Sequence, residues 1–312
     1  MAATSTTPTT QDVQAFREAL REDYRLMCVS REASLLGRKE VLTGKAKFGI
    51  FGDGKEMAQV ALAKVVRPGD WRSGYYRDQT FMMARSLLSV QQYFAALYAH
   101  ADVEADPTSG GRQMGGHFAT RTLNEYGSWK NLMSDFNSSA DVSPTAAQMP
   151  RLLGLAQASK VFRALPELAD RMSTFTEGGN EIAVGTIGDA STSEGLFWEA
   201  MNAACVLEIP MLMSVWDDGY GISVPKKYQT VKETISGALS GFQREDVARL
   251  AGTTAEALAQ VAKVDDAQIL TMEGVRQELQ YLRGRVETCA ETLRRIEGCQ
   301  TTVGTMETTI HS

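Results

Sequence analysis

The chain is poor in histidine, with three in 312 residues, His100, His117 and His311. They are too few and too scattered for a metal cluster or an obvious nucleophile relay. The four cysteines, Cys28, Cys205, Cys289 and Cys299, match no zinc spacing. Cys28 and Cys205 fall in apolar helical patterns, so reduced structural thiols are expected. No apolar run approaches the ~20 residues of a membrane-spanning helix. Positive charge is not in excess: the formal net charge is −6 and the pI about 5.3, which argues against nucleic acid or an acidic membrane as partner. The first residues have neither a basic start nor an apolar core. Residues 1–11 are therefore expected to be a disordered arm rather than a signal peptide, and a cytoplasmic address follows. What is present is an ordinary globular composition, 43% hydrophobic and 22% charged, with length for one large or two modest domains.

The most informative stretch is Glu181 to Pro225. Ile182 to Ile187 is a short apolar, β-branched run ending at Gly188-Asp189, which predicts a buried strand that stops at a turn. Ser191-Thr192-Ser193-Glu194 has the pattern of a capping box, so a helix is expected to open near Thr192 and run to about Leu207. Met211 to Trp216 predicts a second strand. Strand, helix, strand makes two parallel strands joined by a right-handed crossover, with both carboxyl ends on one edge of the sheet. Asp189 and Asp218 lie just past those ends, where open α/β sheets bind ligands. Free N–H groups of the helix opening would face the same edge. Two carboxylates beside an anion-binding helix end suit Mg²⁺ bridging the protein to a phosphate.

The rest of the chain supplies further motifs. Val13 to Leu36 reads as an amphipathic helix with Phe16, Leu20, Tyr24, Met27 and Cys28 on its apolar face, packed on the flank of the sheet. Phe48 to Lys55 is rich in glycine but lacks the Gly-Lys-Ser/Thr ending of a P-loop, which excludes that motif. Glu56 to Val66 and Phe81 to His100 read as helices. Tyr76-Arg77 offers a planar cation and a hydroxyl suited to phosphate oxygens. Asp106 to Gly116 is a Gly/Ser/Pro loop leading to His117. Ser143-Pro144 is expected to open a helix through Lys160, with Pro144 in its first turn. Pro166 to Asn180 reads as a polar connector.

Gly188-Asp189-Ala190, Glu194-Gly195, Asn202 and Asp217-Asp218-Gly219-Tyr220-Gly221-Ile222-Ser223-Val224-Pro225 resemble the thiamine-diphosphate motif of 2-oxo acid dehydrogenase alpha subunits. The resemblance implies an α/β fold, a parallel sheet flanked by helices, over residues 12–244, with the likeness ending near Arg244 and the domain truncated relative to the family. It implies Mg²⁺ held by Asp189, Asp218 and the carbonyl of Tyr220. The cofactor would be held by Tyr76, Arg77, Ser143, Gly188, Asp189, Ala190 and Ser191. His117, at the end of a loop resembling one at the family's active-site mouth, is the candidate catalytic residue. Besides Thr145 at a Leu position and Ala147 at a Thr position, three further positions depart from the family pattern. Lys55 stands where Gln is usual and Asp218 where Asn is usual, and Trp216 stands where branched-chain members carry an Arg for the diphosphate. The last two are expected to remove positive balance from the phosphate site. The implied activity is decarboxylation of a 2-oxo acid followed by acyl transfer to a lipoyl group. It implies a beta-type subunit or domain, a lipoyl-bearing acyltransferase and an oligomer, and the chain is expected to be inactive alone. A Mg²⁺-dependent phosphohydrolase, or a non-catalytic scaffold that retains the fold, are the alternatives the residues leave open.

Residues 245–312 are expected to be helical. Met272, Val275, Leu279, Leu282, Val286, Cys289, Leu293 and Ile296 follow alternating steps of three and four with charged flanks, the pattern of a coiled-coil seam.

Overall fold

The structure is a computed structural model that describes residues 10–242, all within the first of the chain's two units, Met1–Gln243. The seam between Met272 and Ile296 lies outside the described residues.

The chain opens with helix α1, Thr10–Leu42, and continues through α2, Glu56–Val65, to strand β1, Trp71–Ser73. A 3₁₀ turn, Tyr76–Asp78, leads into α3, Gln79–Ala84, and α4, Val90–Leu97. Strand β2 is Asn137–Ser138, followed by α5, Gln148–Ala164, and α6, Pro166–Arg171. Then come β3, Ala183–Gly188, a 3₁₀ turn at Ala190–Ser193, α7, Gly195–Leu207, and β4, Met211–Trp216. A two-stranded hairpin of β5, Tyr220–Gly221, and β6, Val224–Pro225, precedes the short α8, Ile235–Ala238.

The four strands β1 to β4 form one parallel sheet in the order β2-β1-β3-β4. Strand β3 is buried along its whole length, as a central parallel strand covered on both faces must be. Its side chains alternate between two cores. Ala183 and Ile187 join Met149, Leu152 and Ala156 of α5 and Phe197 and Ala200 of α7, while Val184 faces Ala33, Ala63, Phe81 and Met82 on the helices of the other side. The sheet therefore lies between two helical layers, and its carboxyl edge carries the loops after β1, β3 and β4.

The expected strands at 182–187 and 211–216 are present, parallel and joined by α7. Several local expectations are corrected. Helix α1 buries a small-residue face, Ser30, Ala33, Ser34 and Gly37, against α2, α3 and α4, while Phe16, Tyr24 and Cys28 are exposed. Small residues let helices approach closely: a Cβ at Gly37 would stand 3.0 Å from the Tyr93 hydroxyl of α4. The long helix expected from Phe81 is two helices, broken where Ser86 takes φ +56° and Ser89 caps α4 through a capping box with Gln92. Pro144 lies in a turn four residues before α5, and the proline in that helix's first turn is Pro150, whose missing N–H costs nothing there. The connector after Pro166 contains α6, with Pro166 at its first position.

Candidate active site

Below the carboxyl edge lies a buried polar hub that was not expected from the sequence. Arg72 of β1 is 2% exposed, and each of its five N–H donors has an acceptor. Nε donates to Asp78 Oδ2 (2.7 Å), Nη1 to Ser138 Oγ (2.7 Å) and Asp141 Oδ1 (2.9 Å), and Nη2 to Asp141 Oδ2 and the Tyr75 carbonyl (both 3.0 Å). Burial disfavours the Arg72 charge, but Asp141 and Asp78 outweigh it and raise its pKa, so the cation is fixed. Asp78 also accepts from Thr186 Oγ1 of β3 and, at 2.8 Å, from Trp216 Nε1 of β4. Asp141 accepts the Phe118 N–H at 3.0 Å, next to His117. The hub thus ties the turn carrying Tyr76 and Arg77, the His117 loop and the strands into one body. Gly74 is required there, because a Cβ would fall onto Asp78 Oδ2.

Above the hub, the predicted residues fall into two clusters. In the first, Asp189 follows β3 and is 1% exposed, yet among the described residues neither carboxylate oxygen has a hydrogen-bond partner. The N–H groups of Asp189 and Ala190 ease its charge without reaching hydrogen-bond geometry. Burial, and then the Asp218 carboxylate, raise its pKa above the ordinary aspartate value. The Arg77 guanidinium lies beside Gly188, where a Cβ would be 3.0 Å from Nη1 and 3.1 Å from the Tyr75 hydroxyl. Arg77 stacks over Tyr75 and Tyr76 and makes one long hydrogen bond, 3.4 Å, to Tyr75. Ala190 packs against the hairpin, since a Cβ at Gly221 would be 2.6 Å from its own. Gly219, at φ +79°, turns the chain from Asp218 into β5, where Tyr220 begins.

Asp218 accepts the Tyr220 N–H on Oδ1 (3.1 Å) and the Lys55 ammonium on Oδ2 (2.8 Å). Burial acts to raise the Asp218 carboxyl, but Lys55 and the Tyr220 N–H outweigh it and hold it below the ordinary range. The neighbouring Asp217 is matched by Lys226 at 2.6 Å. The expected loss of positive balance at these positions is met by cations from other elements. Trp216 has turned inward onto Asp78, and Lys55 and Arg77 bring cations to Asp218. Lys55 is the site residue that sequence reasoning missed. The signal available was that Lys55 and Asp218 are both charged where the resembled family has neutral residues, and in the fold these two meet.

The expected capping box is also corrected. Ser191 makes no side-chain bond to Glu194. A 3₁₀ turn intervenes, held by Thr192 Oγ1 on the Asp189 carbonyl (2.6 Å), and α7 begins at Gly195.

In the second cluster, His117 Nε2 and Ser143 Oγ are 2.9 Å apart, and His117 Nδ1 lies 3.1 Å from the Met114 carbonyl. A carbonyl only accepts, so Nδ1 carries a proton, and in the neutral ring Nε2 accepts from Ser143. Gly116 places this loop against Tyr76, whose Cβ would be 3.2 Å from a Cβ there.

The site fits a divalent cation with a phosphate ligand. Among the described residues no group of three or more His, Cys, Asp or Glu side chains is set to hold a metal. Asp189 instead offers a buried carboxylate with no partner, and Mg²⁺ is ordinarily held by one or two carboxylates plus ligand phosphates.

Residues 24–264 match the family model described as dehydrogenase E1 component, which extends past Arg244. The chain is 33% identical over 224 residues to the 2-oxoisovalerate dehydrogenase subunit alpha of Bacillus subtilis, covering 70% of this chain and 57% of that protein. It is 27% identical over 194 residues to the mitochondrial counterpart of Caenorhabditis elegans, covering 62% and 38%. To the pyruvate dehydrogenase E1 component subunit alpha of Acholeplasma laidlawii it is 23% identical over 224 residues, covering 70% and 52%. The chain spans about half the length of these relatives. With the parallel sheet and the motif after β3 and β4 in place, the chain belongs to the dehydrogenase E1 component family.

Proposed function

We propose that this chain is the alpha-type part of the decarboxylating component of a 2-oxo acid dehydrogenase. It holds thiamine diphosphate through Mg²⁺ and works with a beta-type subunit or domain and a lipoyl-bearing acyltransferase in an oligomer. The observation that carries the reading is the buried Asp189 carboxylate without a hydrogen-bond partner among the described residues, at the edge where β3 and β4 end. A cation at Asp189 completes that carboxylate. Asp218 and the Tyr220 carbonyl would be its further ligands, with Gly188, Ala190 and Ser191 forming the turn around it. Arg77 has donors to spare for diphosphate oxygens, with Tyr76 beside it. When bound, thiamine diphosphate supplies the carbanion chemistry that removes CO₂ from a 2-oxo acid. Ser143 holds the cofactor side, and His117, kept in one tautomer by Met114 and Ser143, lines the entrance and meets the substrate. The free thiols Cys28 and Cys205 suit the reducing cytoplasm.

Titration calorimetry with thiamine diphosphate and Mg²⁺ tests the site. The unaltered chain is expected to bind and Asp189→Ala to lose binding; binding that survives Asp189→Ala removes the reading. Assays with several 2-oxo acids and an artificial electron acceptor test the division of labour. Little turnover is expected before a beta-type partner is added, and robust turnover by the chain alone contradicts it.

A further inference from the structure

We propose that Lys55 is a diphosphate-binding residue, positioned for that task by Asp218. The inference rests on the reading of the site given above. Lys55 caps α2, and its Nζ reaches Asp218 Oδ2 at 2.8 Å, joining two loops 163 residues apart in sequence. An ammonium has three N–H donors, and Asp218 takes one of them. The other two have no acceptor among the described residues, although the side chain is only 12% exposed. A free surface lysine would extend into water, so a largely buried one with two unused donors is held for another acceptor.

The loop that presents Lys55 is itself fixed. The Glu56 carboxylate takes the Gly54 N–H at 3.0 Å and the two-pronged Arg31 guanidinium at 2.6 and 2.9 Å. The charges around the edge also point one way. Lys226 satisfies Asp217, Lys55 satisfies one oxygen of Asp218, and Asp189 has no partner. A cation at Asp189 brings its phosphate ligand into the same field as Lys55 and Arg77, which act on Asp218 from α2 and from the turn after β1. Lys55 and Arg77 are then the cations flanking the diphosphate.

The competing role for Lys55 is simple neutralisation of Asp218, and a double substitution separates the two. By titration calorimetry with Mg²⁺ and thiamine diphosphate, Lys55→Gln is expected to weaken binding by about tenfold or more, as loss of a charge-assisted hydrogen bond does. Lys55→Arg, which keeps the charge, stays within about threefold. Lys55→Gln with Asp218→Asn remains as weak as Lys55→Gln alone, and inorganic diphosphate with Mg²⁺ shows the same loss. If the double variant instead recovers full affinity, Lys55 only balances Asp218 and the inference is overturned. Binding by Lys55→Gln within about twofold of the unaltered chain, while Asp189→Ala abolishes it, overturns the inference and leaves the site reading intact. Undiminished binding by Asp189→Ala overturns both.

Discussion

Arg72, within β1, and Asp189, just past the end of β3, are both charged and almost fully buried, and the protein treats them oppositely. Around Arg72 every donor is matched, and Asp78 and Asp141 collect partners from three strands and two loops. Around Asp189 the backbone carbonyl is bonded by Thr192 while the carboxylate has no hydrogen bond among the described residues. A buried charge is costly unless it is paired and hydrogen-bonded. The first region meets that requirement from within the chain and so holds the loops in place. The second leaves it unmet among the described residues, at the edge where the strand ends deliver it.

Substitutions should separate the two regions by the sign of their effect. Arg72→Met leaves Asp78 and Asp141 buried without their cation, and is expected to cost about 3–5 kcal/mol in urea unfolding, or to prevent folding. Asp189→Asn is expected to leave the ligand-free chain as stable as before or more so. It should remove the stabilisation that Mg²⁺ and thiamine diphosphate give, about 2.7 kcal/mol at a hundredfold excess over Kd. If Asp189→Asn destabilised the ligand-free chain as Arg72→Met does, the contrast would collapse. Trp216→Phe strips from Asp78 Oδ1 the donor it has among the described residues, for an expected loss of about 1–3 kcal/mol with cofactor affinity little changed. The smallest effect is on pH. Because the folded Asp189 pKa lies above its unfolded value, the ligand-free chain gains stability as pH falls through the folded pKa, levelling off below the ordinary value of about 3.9. Ligand binding, which needs the ionised carboxylate, weakens over the same interval. Thermal midpoints of Asp189→Asn and the unaltered chain should therefore converge as the solution is acidified, and a gap constant with pH would contradict the assignment.

The half of the site built from β3 and β4 was legible because both strands are six-residue apolar runs bounded by turn residues, and parallel pairing through a helix fixes which ends coincide. Strands β1 and β2 were not. They are three and two residues long, and Arg72, Ser73, Asn137 and Ser138 are polar, so no apolar period marks them. Their burial is sustained by the polar hub, which exists only after the chain is folded. The face of α1 was misread for a related reason. Large apolar residues dominate a sequence pattern, whereas close helix packing here selects Ser30, Ala33, Ser34 and Gly37. The pairing of Lys55 with Asp218 was invisible to local rules, since each residue taken alone reads as a solvated turn charge.

The Lys55–Asp218 bridge has a kinetic meaning as well. It closes a span of 163 residues, and the bonds that Asp78 makes to Trp216 and Thr186 close spans of 138 and 108. Contacts so distant along the chain meet their loop-closure entropy before they return any energy, and they form late. During synthesis, neither the edge loop nor the partner for Lys55 exists until residue 218 has left the ribosome. The carboxyl edge that gathers Lys55, Asp189 and Asp218 is thus among the last features of the described residues to assemble.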